Sequence, residues 1–479
     1  MRGVGDVFPG ERLAGLAGSR VLVTGARVTG VSAARLLAEL GAEVTVTDSA
    51  PGRLQDLAAT PLQGAFRLVA GLAAPPPGTD LVVTSPGLRP DAPVLVAAQR
   101  AGVPVIGDAT LARWVDCARP AQTRPGPGQA PAEWLVVTGT NGKTTTVGML
   151  EAILRSAGVD ALACGNIGLP VLDAVRTGHR VLAVELSSFQ LYWSPELWAR
   201  AAVVLNVAAD HLDWHGSLAG YAAAKGSVYA EGTTAVCNAD DEWSTRLAAG
   251  HGGVEFTTGE PREGQLGLVG EQLVDRAFSG APGGTVLADL ADVRPLGRHN
   301  LSNALAAAAL ARCIGVEAPA IGQGLRAFAP AEHRGTPVGE HSGVCYLDNS
   351  KATNPHAARA ALLSQHRVVW VAGGLLKGVE VDQLVIDTRD RLVGAVLLGA
   401  DRAVIAAALA RHAPDIPVRM VDSGDDGAMI DVVAAAAELA CPGDVVLLAP
   451  AAASLDMFTD YAHRGQAFAA AVAALGALR

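Results

Sequence analysis

Lysine is almost missing from this chain. Of 37 basic residues in 479, four are lysine, at positions 143, 225, 351 and 377, and the rest are arginine. A guanidinium is planar, bulky and effectively never neutral, whereas an ammonium is compact and can lose its proton. A chain that uses arginine by default therefore keeps lysine where arginine would fail. Each of the four lies in a glycine-rich or polar stretch: GTNGKTTT, YAAAKGSV, NSKATNP and GGLLKGVE. These lysines are the first candidates for a site.

Other scarcities narrow the class. Aromatic residues are 4%, and the hydrophobic half of the chain is rich in alanine. No uninterrupted apolar run reaches the ~18 residues of a membrane span. The six cysteines contain no CxxC pair, which argues against a zinc site or a disulfide frame. A net charge of -10 comes with no basic run, so no nucleic-acid surface is expected. The opening MRGVGDVFPGERLAG has no apolar signal core. The expectation is a cytoplasmic protein without membrane insertion, working as a monomer.

What is present is alternation. Short Val/Leu/Ala runs separate alanine-rich helical stretches, the pattern of buried parallel strands crossed by helices. Strands are expected at Val21–Thr24, Val44–Thr47, Leu81–Thr84, Leu135–Thr138, Val181–Glu185, Val203–Asn206, Val368–Ala372, Val396–Leu398 and Val445–Leu448. That is too many for one small sheet. ARPAQTRPGPGQAPAE (118–133) reads as an exposed loop. A helix at Gly297–Cys313 is followed by a restart of strands, and the glycine-rich stretch 250–293 suggests hairpins. Three α/β domains follow: 1–107, 108–330 and 331–479.

The first glycine-rich turn follows a strand and opens a helix: Gly25-Ala26-Arg27-Val28-Thr29-Gly30, with Asp48 ending the next strand. Arginine stands where a dinucleotide fingerprint needs its middle glycine, which argues against NAD. The turn still offers backbone amides at a helix start, and Thr84-Ser85-Pro86-Gly87 could close over the same ligand. A nucleotide-diphosphate site and an ordinary tight turn both fit.

VVTGTNGKTTTVGML is the strongest motif. A hydrophobic strand enters Gly139-Thr140-Asn141-Gly142-Lys143-Thr144-Thr145 and then a helix, so amides surround a phosphate chain, Lys143 reaches its outer phosphates and Thr144 holds Mg²⁺. Val137 stands where a Walker loop has its first glycine, making this a shortened loop. Glu185, ending a strand, and His211, in NVAADHLDWHGS, are further metal candidates. Magnesium prefers oxygen ligands, which suits Glu185 better than His211. Lys225 fits beside a cation only as a carbamate formed with CO₂; otherwise it is a phosphate contact or a surface lysine.

TGTNGKTT, GNIGLP, ELSSFQ, DHLDWHGS, AAKGSVY, GRHNLSNALAA, EHRG and DNSKATNP occur in the order found in the Mur ligases, and this chain resembles that family over almost its whole length. SKATNP, GGLLKG and PAAASLDMF are similar to the branch that adds D-glutamate, and the DNPR motif of the diaminopimelate-adding branch is absent. The resemblance implies an N-terminal Rossmann-like domain, a central P-loop-type ATPase with a mostly parallel sheet, and a C-terminal Rossmann-like domain. It implies UDP-N-acetylmuramoyl-L-alanine and D-glutamate as substrates, with ATP and two Mg²⁺.

By the same resemblance Val28, Thr29, Ser49 and Ser85 meet the UDP end, and Asn166 and His211 bridge that substrate to the metal centre. Lys143, Thr144, Glu185 and carbamylated Lys225 organise ATP and magnesium. Asn300, His333, Arg334, Asn349 and Lys351 hold the nucleotide, and Thr353, Lys377, Ser454 and the Tyr461 backbone hold glutamate. The chain departs from its relatives at four places at or near these residues; one is Gly335-Thr336, which follows His333 and Arg334 where an acidic pair is usual. Asn349 replaces a usual aspartate, with Asp348 one place earlier. Ala50 replaces a basic residue that Arg53 could substitute. Tyr461 replaces a common phenylalanine.

Overall fold

The structure, a computed structural model, describes residues 13, 15–58, 65–118, 131–195, 197–295, 297–330, 332–422, 424 and 427–477. Most of the proline-rich stretch expected to form an exposed loop lies outside these residues.

Three sheets carry the fold. The first holds β1 (Arg20–Thr24), β2 (Glu43–Asp48), β3 (Arg67–Ala70), β4 (Leu81–Thr84) and β5 (Val105–Gly107) in the order β3-β2-β1-β4-β5. All of its pairings are parallel. Strand order reverses at β1, so the loops leaving β1 and β4 part to opposite sides. Open α/β sheets bind ligands at that crevice.

The second sheet contains β6 (Glu133–Thr138), β7 (Ala161–Gly165), β8 (Val181–Glu185), β9 (Ala201–Val204), β10 (Thr234–Asn238), β11 (Gly253–Phe256), β12 (Gln265–Val269), β13 (Gln272–Asp275) and β14 (Thr285–Asp289). Its order is β14-β13-β12-β11-β10-β9-β6-β8-β7. From β7 to β12 the neighbours are parallel; β13 and β14 extend the edge as antiparallel hairpins, in the stretch where hairpins were expected. The third sheet contains β15 (Thr336–His341), β16 (Val344–Asp348), β17 (Val368–Gly373), β18 (Leu392–Leu398), β19 (Val418–Met420) and β20 (Val445–Leu448), in the order β15-β16-β20-β17-β18-β19. Only its edge strand β15 is antiparallel.

The central strands are apolar because both their faces are covered. Leu135, Val136, Val137, Val181, Leu182 and Val203 are fully buried. Helix Lys143–Ser156 lies on this sheet under helices Arg298–Arg312 and Ala318–Ala327. Small side chains let these helices come close. Ala304 and Ala306 to Ala309 are fully buried, and a Cβ at Gly324 would stand 2.3 Å from Ile153 Cα. Truncating Leu150 in that core would cost about 2–5 kcal/mol. The packing holds the start of helix Lys143–Ser156, where the phosphate-loop motif lies, in a fixed place.

The chain divides into two compact units, residues 1–207 with 219–328, and residues 208–218 with 329–479. The first unit carries the first two sheets and the second carries the third. Among the described residues all six cysteines are free thiols, and no helix is long and apolar enough to cross a membrane.

Candidate active site

The turn after β1 is built by close approach. A Cβ at Gly30 would fall 1.8 Å from the Gly25 carbonyl oxygen, and one at Gly25, where φ is +95°, would fall 2.4 Å from Ser85 Oγ. Only glycine fits at either position. Ser85 N–H donates to Thr24 O at 2.8 Å, which ties the loop after β4 to the end of β1. Val28 and Thr29 on the first helical turn, Ser49 after β2 and Ser85 after β4 thus gather at one end of three adjacent strands. Val28 is 70% exposed there, an apolar side chain presented to solvent beside backbone amides.

Asp48 is spent on the turn itself. It accepts from the Ala26 and Ala50 amides, each at 2.8 Å, and from Arg53 at 3.1 Å. Burial opposes its charge, but these amides and the guanidinium outweigh burial and hold the carboxyl below its ordinary value. Arg53, the expected substitute for the missing basic residue at position 50, is anchored by Asp48 at this end of the sheet.

The phosphate loop leaves β6 with Gly139 at φ +151° and Gly142 at φ +87°. Two lysines converge on it: Lys143 Nζ donates to Gly139 O and Thr140 O, each at 2.8 Å, and Lys225 Nζ donates to Gly139 O, also at 2.8 Å. Lys225 is 1% exposed, and its ammonium lies 4.5 Å from the centroid of the Tyr221 ring, one helical turn earlier. Tyr221 in turn donates to Thr140 Oγ1 at 3.2 Å. Asn206 secures the loop's outer face. Its Oδ1 accepts from Asn141 N at 2.9 Å, and its Nδ2 donates to Asn141 O at 3.1 Å. β9 ends at Val204, two residues earlier than expected, because Asn206 has turned into this loop. Thr145 is buried in the first turn of the helix.

Beside the loop, Thr144 Oγ1 donates to Glu185 Oε2 at 2.8 Å, and Asn166 Nδ2 donates to Glu185 Oε1 at 2.9 Å. The backbone repeats the link: Asn166 N–H donates to Glu185 O at 2.8 Å. A Cβ at Gly165 would stand 2.2 Å from that same carbonyl, so the GNIG turn requires glycine before the asparagine. One hydroxyl and one carboxylate next to a phosphate loop suit magnesium, which takes few protein ligands and keeps water and phosphate oxygens. Among the described residues no cluster of three or more His, Cys, Asp or Glu that could hold a metal ion is present.

Asn300 reaches the loop through Asn303. Asn303 Nδ2 donates to Asn300 Oδ1 at 3.2 Å, and a Cβ at Gly142 would meet Asn303 Oδ1 at 2.3 Å.

His211 belongs to the second unit. It stands in the left-handed region, φ +53°, before the short helix Leu212–His215, with its ring 3.6 Å from Asp210. In that unit the loop after β16 brings the remaining candidates together. Asp348, 1% exposed, faces His333 Nδ1 at 2.5 Å and accepts from Ser350 N at 2.9 Å. Asp348, the last residue of β16 and one place before Asn349, is the residue that holds His333. Arg334 follows His333, and Lys351 Nζ lies 3.7 Å from the centroid of the Tyr461 ring. The GGLLKG and AAASL loops pair as an antiparallel bridge, Leu375 with Ala453. Lys377, exposed at φ +55°, lies two residues beyond Leu375, and buried Ser454 follows Ala453. Thr353 N–H donates to Lys351 O at 2.9 Å, which tightens the SKAT turn.

Arg464 is the residue that sequence reading passed over. It is 1% exposed and donates to Ser350 Oγ and O at 3.0 Å each, Ala452 O at 3.1 Å and Gly373 O at 3.3 Å. It therefore ties together the loops after β16, β17 and β20. Burial pulls its pKa down to about 10, with Asp456 and Asp348 opposing, so it stays charged at neutral pH. Asn206, Asn303 and Tyr221 were also passed over; of these only Tyr221, four residues before Lys225, carried a spacing signal.

Comparison with known proteins decides the family. Residues 19–107 match the Mur ligase MurD-like N-terminal domain and residues 137–311 match the Mur ligase middle domain. The chain belongs to the Mur ligase family. It is 54% identical over 473 residues to the UDP-N-acetylmuramoylalanine--D-glutamate ligase of Thermobifida fusca, covering 96% of this chain and 99% of that one. It is 51% identical over 476 residues to the protein of the same name from Streptomyces coelicolor, with the same coverage. Among solved structures, the UDP-N-acetylmuramate-alanine ligase of Thermotoga maritima covers 96% of this chain and 100% of its own at TM-score 0.58 and 18% identity, which shows a shared Mur ligase fold.

Proposed function

We propose that this Mur ligase is an ATP-dependent amide ligase that joins D-glutamate to UDP-N-acetylmuramoyl-L-alanine in peptidoglycan precursor synthesis. The observation that carries the reading is the Thr144–Glu185–Asn166 chain beside the lysine-lined phosphate loop, in a protein about half identical over its full length to D-glutamate ligases. The same reading has it act as a monomer in the cytoplasm, where the precursor's nucleotide-linked substrate and ATP are found.

In this reading the crevice between β1 and β4 takes the UDP moiety, with Val28, Thr29, Ser49 and Ser85 around it. The amides at the start of helix Lys143–Ser156 and the Lys143 ammonium take the outer phosphates of ATP. Bound magnesium neutralises phosphate charge. Thr144 and Glu185 would hold one ion, and Lys225 as a carbamate would hold a second; His211, in the other unit, is a further candidate ligand. Asn166 spans the UDP-linked substrate and Glu185. Asn300 is the nucleotide candidate of the first unit beyond the phosphate loop, and Asn349, Lys351, His333 and Arg334 are those of the second. Thr353, Lys377, Ser454 and the Tyr461 backbone serve D-glutamate, whose two carboxylates need cationic and hydroxyl partners.

The chemistry then has two steps. An oxygen of the L-alanyl carboxylate attacks the γ-phosphorus, and its bond to ADP breaks. The glutamate amine next attacks the acyl carbon and loses a proton, and the C–O bond to phosphate breaks. Lys143 stabilises the oxygen charge in both. The test is phosphate release from ATP with D-glutamate, L-glutamate or neither, together with product mass. Release that needs the UDP-sugar and D-glutamate, with a product heavier by one glutamyl residue, is expected. Release indifferent to both contradicts the reading.

A further inference from the structure

The segment that leaves Glu185 is seated on the first sheet at three points. Gln190 Nε2 donates to Asp108 Oδ2 at 3.2 Å, Gly107 N–H donates to Trp193 O at 2.6 Å, and the Trp193 side chain packs into the first sheet's core with Leu22, Val82 and Leu95. Asp108 and Gly107 stand at the end of β5, next to β4, whose loop carries Ser85.

The Gln190 side chain has one orientation open to it. Its Oε1 accepts from Ser187 N at 3.1 Å and from Ser187 Oγ at 3.2 Å, while Ser187 Oγ accepts from Gln190 N. An N–H can only donate, so Oε1 faces Ser187 and Nε2 faces Asp108. This closes a capping box two residues beyond Glu185. Gln190 and Asp108 are 3% and 2% exposed. Burial pushes the Asp108 carboxyl up to about 6, and the Gln190 amide and the amides of Asp108 and Ala109 offset only part of that. An apolar residue would fill this position without the cost of burying a carboxylate.

We infer that Asp108 is a positioning residue for the phosphate and cation end of the site: its carboxylate orients Gln190, and through the Ser187–Gln190 box it sets the chain that leaves Glu185. The inference rests on Glu185 being the carboxylate that holds the cation. It makes the UDP-binding sheet part of the support of that carboxylate.

The experiment measures the free Mg²⁺ concentration giving half-maximal ligation by the full chain, with ATP, UDP-N-acetylmuramoyl-L-alanine and D-glutamate. Asp108→Ala frees Gln190 and the box behind Glu185 and is expected to raise it about tenfold, the low end of what losing a direct outer partner of a metal ligand costs, while KM for the UDP-sugar stays within threefold. Gln190→Glu, which sets carboxylate against carboxylate, is expected to do the same. Adding Asp108→Asn to Gln190→Glu restores a donor facing an acceptor and is expected to recover most of the loss. Asp108→Ala that is folded and within twofold of the parent, or a Gln190→Glu defect that Asp108→Asn does not relieve, overturns the inference. If Asp108→Ala fails to fold, the Gln190→Glu pair decides alone. Glu185→Asp run in parallel separates the two readings: if it leaves the Mg²⁺ requirement unchanged, the assignment of Glu185 fails rather than the link through Asp108.

Discussion

Thr144 Oγ1 donates to Glu185 Oε2 at 2.8 Å, joining the first turn after the phosphate loop to the end of β8. Both groups are oxygens that a magnesium ion beside ATP would use. Glu185→Gln and Thr144→Ala are expected to lower turnover at least 100-fold, because each removes a ligand where charge develops. Binding of the UDP-sugar alone, measured by calorimetry, is expected to change less than threefold. Equal loss of both would mean that the pair supports the fold.

Lys225 is buried against Gly139 O and the Tyr221 ring. As a carbamate it would present anionic oxygen beside the phosphate loop, which arginine could not supply. Protein equilibrated with ¹³C-bicarbonate is expected to show a carbamate carbonyl resonance that Lys225→Arg abolishes, with turnover falling at least 100-fold. A resonance unchanged in the variant would remove the carbamate from the site.

Arg464 donates to groups on three loops around the glutamate candidates. Arg464→Ala leaves buried carbonyls without their donor and is expected to cost about 3 kcal/mol or more of stability. Arg464→Lys keeps the charge but not the fork. That variant is expected to remain folded and to raise KM for D-glutamate tenfold or more, with KM for ATP little changed. A uniform fall in kcat alone would show that the loops hold their places without it.

Asp108 keeps its proton in the folded chain up to about pH 6, whereas an unfolded chain releases it near 3.8. Between those values the unfolded state binds fewer protons, so this group lowers stability as pH rises from about 4 to about 6, by about 3 kcal/mol in total. Asp108→Asn removes the effect. Its stability advantage over the parent, from urea unfolding, is expected to widen by about 1 kcal/mol between pH 5 and pH 7.5. A constant difference would mean that the carboxyl is not held up by burial.

The sequence made the fold legible where strands are covered on both faces, because such strands read as plain apolar runs. Val181–Glu185 and Leu81–Thr84 matched to the residue. Strands with polar exposed positions, such as Arg67–Ala70 and Val418–Met420, or with only three residues, such as Val105–Gly107, carried no such run. The phosphate loop was legible because its chemistry is contiguous. Asn206 was not, since its partner Asn141 lies 65 residues away. Arg464 was hidden differently: in a chain that uses arginine as its ordinary cation, one more arginine marks nothing until burial and its three loops are seen.

The most direct test of the account follows an oxygen atom. UDP-N-acetylmuramoyl-L-alanine labelled with ¹⁸O in its alanyl carboxylate is turned over with ATP and D-glutamate, and the released phosphate is weighed. Passage through an acyl phosphate predicts one ¹⁸O in each phosphate and a glutamyl product that has lost one. Phosphate free of label, with product still formed, would contradict the mechanism.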